Sequence, residues 1–381
     1  KRAPSSSGVP KHGLDDVPAE GARKVQKVDG DKDVTQQAIY MSIAMNHRDM
    51  IKFAKNPRIF VATQARRAKI EVSYKKLSET DKVRFDKAKD KEIDQFLLAQ
   101  ACRGALKNQD IPQEDLMRMR WVLTWKDDPE SPDGDGKKAK ARLVLIGYTD
   151  KDLGELKTES PTPSKRARSL FYQLGANKQW STWLADVSTA FFQGDATEED
   201  RELCAIPVPA LAKAMDFADD EYVQVLKACY GLTNAPRRWY EKVKNDLIEM
   251  GWYSSKLEPC LFTKYSGTGE LIGAILVHVD DFQIAGDLGV KASKDDYEAI
   301  SKLYRWGMWV SDKDGYTVCG VDVKRTEDGG FYLDQSRYAR TVMPLNVTRA
   351  RKAQSESPIT PEERSACRAV LGQCQWLSTQ T

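Results

Sequence analysis

Histidine is scarce: His12, His47 and His278 are the only three in 381 residues. Only His278 falls in the part of the chain that reads as folded, so a serine or cysteine triad has no plausible base. Seven cysteines (Cys102, Cys204, Cys229, Cys260, Cys319, Cys367 and Cys374) are widely spaced and include no Cys-x-x-Cys. A structural zinc site therefore has few ligands to draw on, and free thiols in a reducing compartment are the expected state. No apolar run approaches the ~18 residues of a membrane span; the longest, Leu271 to Val279, is about half that and ends in two aspartates. The chain begins Lys1-Arg2-Ala3-Pro4-Ser5 with no apolar leader, and it stops at Thr381 just after an apolar helical pattern. No targeting signal is legible, and both ends read as cuts in a longer polypeptide. Gly-x-Gly-x-x-Gly, Gly-x-x-x-x-Gly-Lys-Ser/Thr and His-Glu-x-x-His are all missing, which removes the dinucleotide fingerprint, the P-loop and the zincin site. Charge is nearly balanced, 59 Lys and Arg against 56 Asp and Glu.

What is present is an apolar fraction of 41%, enough for one large or two ordinary domains with a core. The first thirty residues, rich in Pro, Ser, Gly, Lys and Asp, read as a flexible lead. Val34 to Leu98 is charged and poor in breakers, so helices are expected there, with either a solvated surface or a nucleic-acid contact. Trp121, Leu123 and Trp125 alternate along a strand, Asp127 to Gly136 forms a loop, and Ala141 to Gly147 returns as the second strand. Ser164 or Thr162 is placed to cap a helix opened by Lys165, Arg166 and Arg168. Trp183 to Val187 is the next strand. Asn234-Ala235-Pro236 starts a helix whose Trp239, Val243 and Leu247 share one face, and Gly251 ends it. Leu271 to Ile284 reads as strand, acidic turn, strand. A further hairpin is expected over Thr317 to Leu333, turning at Asp328-Gly329-Gly330. The resulting class is α+β, antiparallel strands with helices packed on one face.

Candidate chemistry centres on carboxylates inside apolar surroundings. Asp280 and Asp281 interrupt Ile275 to Ile284, and Asp186 stands within Trp183 to Val187. Taken alone, the pair admits two readings, exposed turn decoration or metal binding. Asp186 shifts the balance, because neighbouring strands would bring all three to one sheet edge. Bare, the cluster would repel itself; such a site suits Mg²⁺, which takes hard oxygen ligands and substrate phosphates. The chemistry implied is in-line nucleotidyl or phosphoryl transfer, with two metal ions serving nucleophile and leaving group. Lys140 and Arg142, with Arg166 and Arg168 behind, are the candidates for neutralising a triphosphate. His278 is read as packing or as a contact to a substrate strand.

The same residues carry a resemblance. Arg120-Trp121-Val122-Leu123-Thr124-Trp125-Lys126, Lys140-Ala141-Arg142-Leu143-Val144-Leu145-Ile146-Gly147-Tyr148, Leu184-Ala185-Asp186-Val187-Ser188-Thr189-Ala190-Phe191-Phe192-Gln193-Gly194, Tyr230-Gly231-Leu232-Thr233-Asn234-Ala235-Pro236-Arg237-Arg238-Trp239-Tyr240, His278-Val279-Asp280-Asp281 and Phe331-Tyr332-Leu333-Asp334-Gln335-Ser336-Arg337-Tyr338 follow one another in a telling order. From about Lys91 to Thr381 the chain resembles the reverse transcriptase domain of copia-type (Pseudoviridae-like) long-terminal-repeat retrotransposon polyproteins.

That resemblance implies a right-hand polymerase with fingers and palm subdomains, an antiparallel palm sheet backed by helices, and a partial thumb or connection at the C-terminus. Its expected layout is an extension over 1–90, fingers over 91–180, palm over 181–300, and a palm hairpin with the start of the thumb over 301–381. It makes Asp186, Asp280 and Asp281 the catalytic, metal-holding carboxylates, for two Mg²⁺ ions with Mn²⁺ as substitute. Lys140 and Arg142 resemble the fingers residues on the incoming triphosphate, Phe191 the aromatic floor that excludes a 2′-OH, and Gly231 with the Ala235-Pro236 pair the segment beside the nascent base pair and template. The implied activity is RNA-directed DNA synthesis, with RNA template, DNA primer, deoxynucleoside triphosphates and RNA–DNA hybrid as partners, no membrane, and cytoplasmic particles or the nucleus as location. His278 stands where the family more often has Tyr, Asp150 where it has Gln, and Thr158 to Thr162 keeps little of the family's Glu-Thr-Phe-x-Pro. The alternative is a decayed or domesticated fragment that binds nucleic acid with little or no polymerisation.

Overall fold

The computed structural model describes residues 71–107, 111–112, 115–195, 202–218, 221–342, 344–345, 347–354 and 356–380. The chain divides into units Lys1–Ala44 and Met45–Thr381, and every described residue belongs to the second. The flexible lead and the helices expected over 34–70 lie outside the described residues.

The principal helices are α1 (Glu79–Leu98), α2 (Lys165–Asn177), α3 (Pro209–Ala214), α4 (Ala235–Glu249), α5 (Lys291–Leu303) and α6 (Pro361–Gln380). The strands are β1 (Cys102–Lys107), β2 (Leu116–Asp127), β3 (Lys137–Leu145), β4 (Ser181–Val187), β5 (Leu203–Ile206), β6 (Glu221–Val225), β7 (Tyr253–Ser254), β8 (Leu261–Tyr265), β9 (Leu271–His278), β10 (Asp281–Gly286), β11 (Trp306–Ser311), β12 (Tyr316–Val318), β13 (Val321–Arg325) and β14 (Phe331–Asp334).

The first sheet runs β1-β6-β5-β2-β3. Its long hairpin pairs β2 with β3 from Met119↔Leu145 to Asp127↔Lys137, as the alternating tryptophans require. One pair, β2 with β5, is parallel, a departure from the all-antiparallel expectation. α1 lies on this hairpin. Ser78 caps it by accepting from the Asp81 N–H, and Phe85, Glu92, Ile93 and Phe96 form its buried face. Phe85 meets the ring of Trp125 edge-on, with centroids 4.7 Å apart.

The second sheet, β11-β4-β10-β9-β8-β7, is antiparallel throughout and positions the site. Here the expectation of helices on one face is corrected. Trp183, Ala185 and Val187 of β4 pack into a core with Trp239, Val243 and Leu247 of α4 and Ile300 of α5. Leu184 packs the other way, with Ala167, Phe171 and Tyr172 of α2 and with β12 and β13. A sheet covered on both faces needs apolar residues at successive positions, which is why β9 reads as a continuous apolar run rather than an alternation.

The third sheet, β12-β13-β14, extends the single hairpin expected over Thr317 to Leu333. β13 and β14 do join through Asp328-Gly329-Gly330, but a second turn precedes them at Cys319-Gly320, where both residues have positive φ (49° and 75°). That pattern belongs to the two-residue turns that match strand twist. All seven cysteines are free thiols, four of them buried. Among the described residues no helix is long and apolar enough to cross a membrane.

Candidate active site

Strand register assembles the carboxylates. β10 pairs with β4 so that Asp281 lies opposite Asp186, and with β9 so that Asp281 lies opposite His278. Only Val279 and Asp280 remain to turn the chain. Carboxylate oxygens of Asp186, Asp280 and Asp281 come within 4.8 Å of one another, and all three residues are half-buried.

The turn that carries Asp280 is strained and firmly held. Val279 has φ 58°, a conformation suited to glycine at the first position of a type II′ turn and costly for a β-branched residue. Its carbonyl accepts the indole N–H of Trp239 at 2.7 Å, and the Asp280 carbonyl accepts the Val187 N–H at 2.9 Å. α4 and β4 thus each grip one peptide of the turn. On the other side of β4, Gly307 is the bulged residue between Trp306 and Met308, which pair with Val187 and Asp186. A Cβ there would approach Asp186 Oδ2 to 3.0 Å and Ser188 Oγ to 2.6 Å, so the glycine leaves room for the carboxylate.

Lys140 and Arg142 alternate onto one face of β3, opposite Thr124 and Val122. Burial, then the charges of Arg142 and Lys126, bring the Lys140 ammonium down to about 8, against a pull from Glu92 in the opposite direction. Arg142 lies over the ring of Tyr230 at 5.4 Å, and the same ring meets Phe191 edge-on at 5.2 Å. Burial pushes the Tyr230 hydroxyl far up; Arg142 opposes this and Asp280 and Asp186 add to it. One aromatic ring therefore lies in the fields of both the basic group and the carboxylates.

Phe191 follows β4 in a short 3-10 turn, Ala190–Gln193, and is 5% exposed. Gly231 has φ 95°, and a Cβ on it would run into the Leu145 carbonyl oxygen at 1.9 Å; the Leu145 N–H also donates to the Tyr230 carbonyl at 2.8 Å. Only glycine permits this close approach between the end of β3 and the 230–231 segment.

Other positions sit differently. His278 is 2% exposed with the Cys319 thiol 3.6 Å from Nδ1, so its ring is packed inside rather than presented to a strand. Arg166 is exposed on α2, whereas Arg168 is buried and acts on Tyr172. Asp150 is buried, accepting the Asp152 N–H within a turn.

Sequence reasoning missed Glu92, Tyr230, Trp239 and Gly307 as site-shaping residues. Three of the four left a signal: Glu92 is a charge on the inward face of a helix, Trp239 has an indole N–H that needs a partner once buried, and Gly307 interrupts a strand.

The donor set is three carboxylates, without imidazole or thiol ligands, on half-buried backbone fixed by two hydrogen bonds. Such a set fits a hard divalent cation.

The curated relatives include the Retrovirus-related Pol polyproteins from transposons RE2 and RE1 of Arabidopsis thaliana. Each is 26% identical to the chain, over 70% and 68% of its length respectively, and 18% of either relative is covered. The corresponding polyprotein from transposon TNT 1-94 of Nicotiana tabacum is 28% identical over 55% of the chain and 15% of the relative. The chain thus spans about a fifth of the length of the polyproteins it matches. Residues 110–357 match the family described as Reverse transcriptase (RNA-dependent DNA polymerase), and the chain belongs to that family.

Proposed function

We propose that this chain extends a DNA primer on an RNA template, adding deoxynucleotides at a site formed by Asp186, Asp280 and Asp281. The observation that carries the reading is the convergence of the three carboxylates, from β4 and from the β9–β10 turn, within 4.8 Å. In this reading the second sheet is the palm, the first sheet with α1 is the fingers, and α6 begins the thumb or connection. Both sheets draw on interleaved stretches of sequence, so in this reading fingers and palm each take strands from more than one segment.

Asp186, Asp280 and Asp281 would hold two Mg²⁺ ions, or Mn²⁺ in their place. When bound, these ions would supply charge neutralisation and Lewis acidity to an in-line displacement at the α-phosphate. The remaining work falls to the chain. Lys140 and Arg142 receive the triphosphate, with Arg142 steadied by the Tyr230 ring beneath it. Phe191, braced edge-on by the same ring, walls the sugar and rejects a 2′-OH by sterics. Gly231, packed against the end of β3, sets the course of the backbone that lies beside the new base pair. The grip of Trp239 and Val187 on the turn keeps Asp280 in place while substrate enters and product leaves.

Primer extension on an RNA template with Mg²⁺ tests this directly. The wild-type chain is expected to extend, and Asp280→Asn to lose extension by at least about a hundred-fold while still binding an RNA–DNA hybrid. Equal binding by both without extension by either contradicts the proposal and is what a fragment that has lost catalysis would give.

A further inference from the structure

The cationic cluster on the β2–β3 hairpin contains an anion that the activity proposed above does not use. Glu92, on the inward face of α1, is 7% exposed, and its Oε1 accepts the N–H of Leu143, a residue flanked by Arg142 on the same strand. Leu143 belongs to β3, the edge strand of its sheet, so this bond satisfies an edge amide from a helix rather than from another strand. Lys140 and Arg142 both act on Glu92. Burial pushes its carboxyl up, whereas the Leu143 N–H and the two cations pull it down.

A carboxylate in that place is a poor choice for packing alone. A leucine would fill the face of α1 shared with Phe85, Ile93 and Phe96 without the desolvation cost. Its charge matters because Lys140 is itself poorly solvated and faces two like charges, Arg142 beside it on β3 and Lys126 across the hairpin on β2. Glu92 is the anion acting on Lys140 from α1. Tyr230 and Cys229, after β6, also feel the Glu92 charge, and both are driven up mainly by burial.

The geometry points to Glu92 as the positioning residue of the anion-binding pair: a buried carboxylate, bonded to the β3 edge amide next to Arg142, that supplies a counter-charge beside Lys140 and Arg142 until a triphosphate arrives. It does not touch the substrate. The inference takes from the proposed function the assignment of Lys140 and Arg142 to a triphosphate, and the test is separable from polymerisation.

The probe is inorganic tripolyphosphate at constant Mg²⁺, its affinity measured calorimetrically from about pH 6.5 to 9 for wild type, Glu92→Gln and Glu92→Asp. Gln keeps an acceptor for the Leu143 N–H and removes only the charge. Without that charge Lys140 gives up its proton more readily, so the alkaline loss of affinity moves down by about 0.5 pH unit or more. Below that limb an anion has lost a repelling neighbour and binds as tightly as in wild type or tighter. The two profiles therefore cross, and Glu92→Asp restores the wild-type limb. The ligand's own titration is common to all three proteins and drops out of the comparison. Parallel profiles, with affinity unchanged or weakened equally at every pH, would overturn the assignment, as would an absence of tripolyphosphate binding by the wild type. Crossing profiles in a protein that extends no primer would leave Glu92 in this role and remove the polymerase reading. Extension with parallel profiles would do the reverse.

Discussion

Lys140, the lysine proposed to receive the triphosphate, illustrates at the residue scale how such a group can work against the fold that holds it. Its ammonium is depressed from 10.5 to about 8, first by burial and then by Arg142 and Lys126. The folded chain thus gives up this proton more easily than the unfolded chain does. The charge destabilises the fold below about pH 8, and the penalty fades as pH rises from about 8 toward 10.5. Lys140→Met is expected to raise the stability of the ligand-free protein at pH 7 by on the order of 1–3 kcal/mol, discounted for partial exposure. The gain should disappear near pH 10.5, while triphosphate affinity falls at neutral pH. Denaturant titrations at the two pH values check the sign; a variant less stable than wild type at pH 7 contradicts it. The sequence marked Lys140 as a candidate for the triphosphate but not its burial, which spacing along β3 does not reveal.

α1 is the element whose role differs most from its sequence texture. Its many lysines read as a solvated or nucleic-acid-binding surface, yet one face straps the β2–β3 hairpin at both ends. Glu92 holds the base through Leu143, and Arg84 holds the loop. Arg84 Nε lies 2.8 Å from Asp133 and Nη1 2.7 Å from Asp135, with the guanidinium 4.6 Å from the ring centre of Trp125. The Arg84 bond holds Asp135 down at about 2. Arg84→Ala is expected to speed hydrogen exchange of the loop amides between Asp128 and Lys137 by about ten-fold and to leave the β9–β10 amides unchanged. Uniform acceleration in both places would mean that Arg84 supports the whole fold rather than the loop.

Elements with strict periodicity were legible. The hairpin of β2 and β3, the Ser164 cap of α2 and the α4 stripe from Trp239 to Leu247 all occur where alternation or helical spacing put them. What stayed hidden depends on partners distant in sequence. β11 joins β4 at the sheet edge, β5 runs parallel to β2, and α2 covers the face opposite α4. The Cys319-Gly320 turn escaped because one of its left-handed residues is a cysteine, which carries no turn signature.

At the scale of the whole molecule, the two large sheets divide the labour. The six-stranded sheet is packed on both faces and presents three acids at one end of a two-residue turn. The five-stranded sheet bears the basic pair, and Tyr230 with Gly231 joins them, its backbone bonded to the end of β3 and its ring between Phe191 and Arg142. Near-neutral overall charge is compatible with this arrangement, since local fields and not the sum attract phosphate. The acids themselves were legible because charges inside apolar strands demand an explanation; their convergence was expected on the condition that the strands are neighbours, and the register between β4 and β10 meets that condition.

The central claim is that carboxylates from separate segments make one divalent-cation site. Uptake of Mn²⁺, followed by loss of the free-ion electron paramagnetic resonance signal, measures it for wild type, Asp186→Asn and Asp280→Asn. Wild type should take up the ion, and either substitution, on β4 or in the turn, should weaken uptake by at least about ten-fold. Uptake that survives both substitutions unchanged would contradict a shared site.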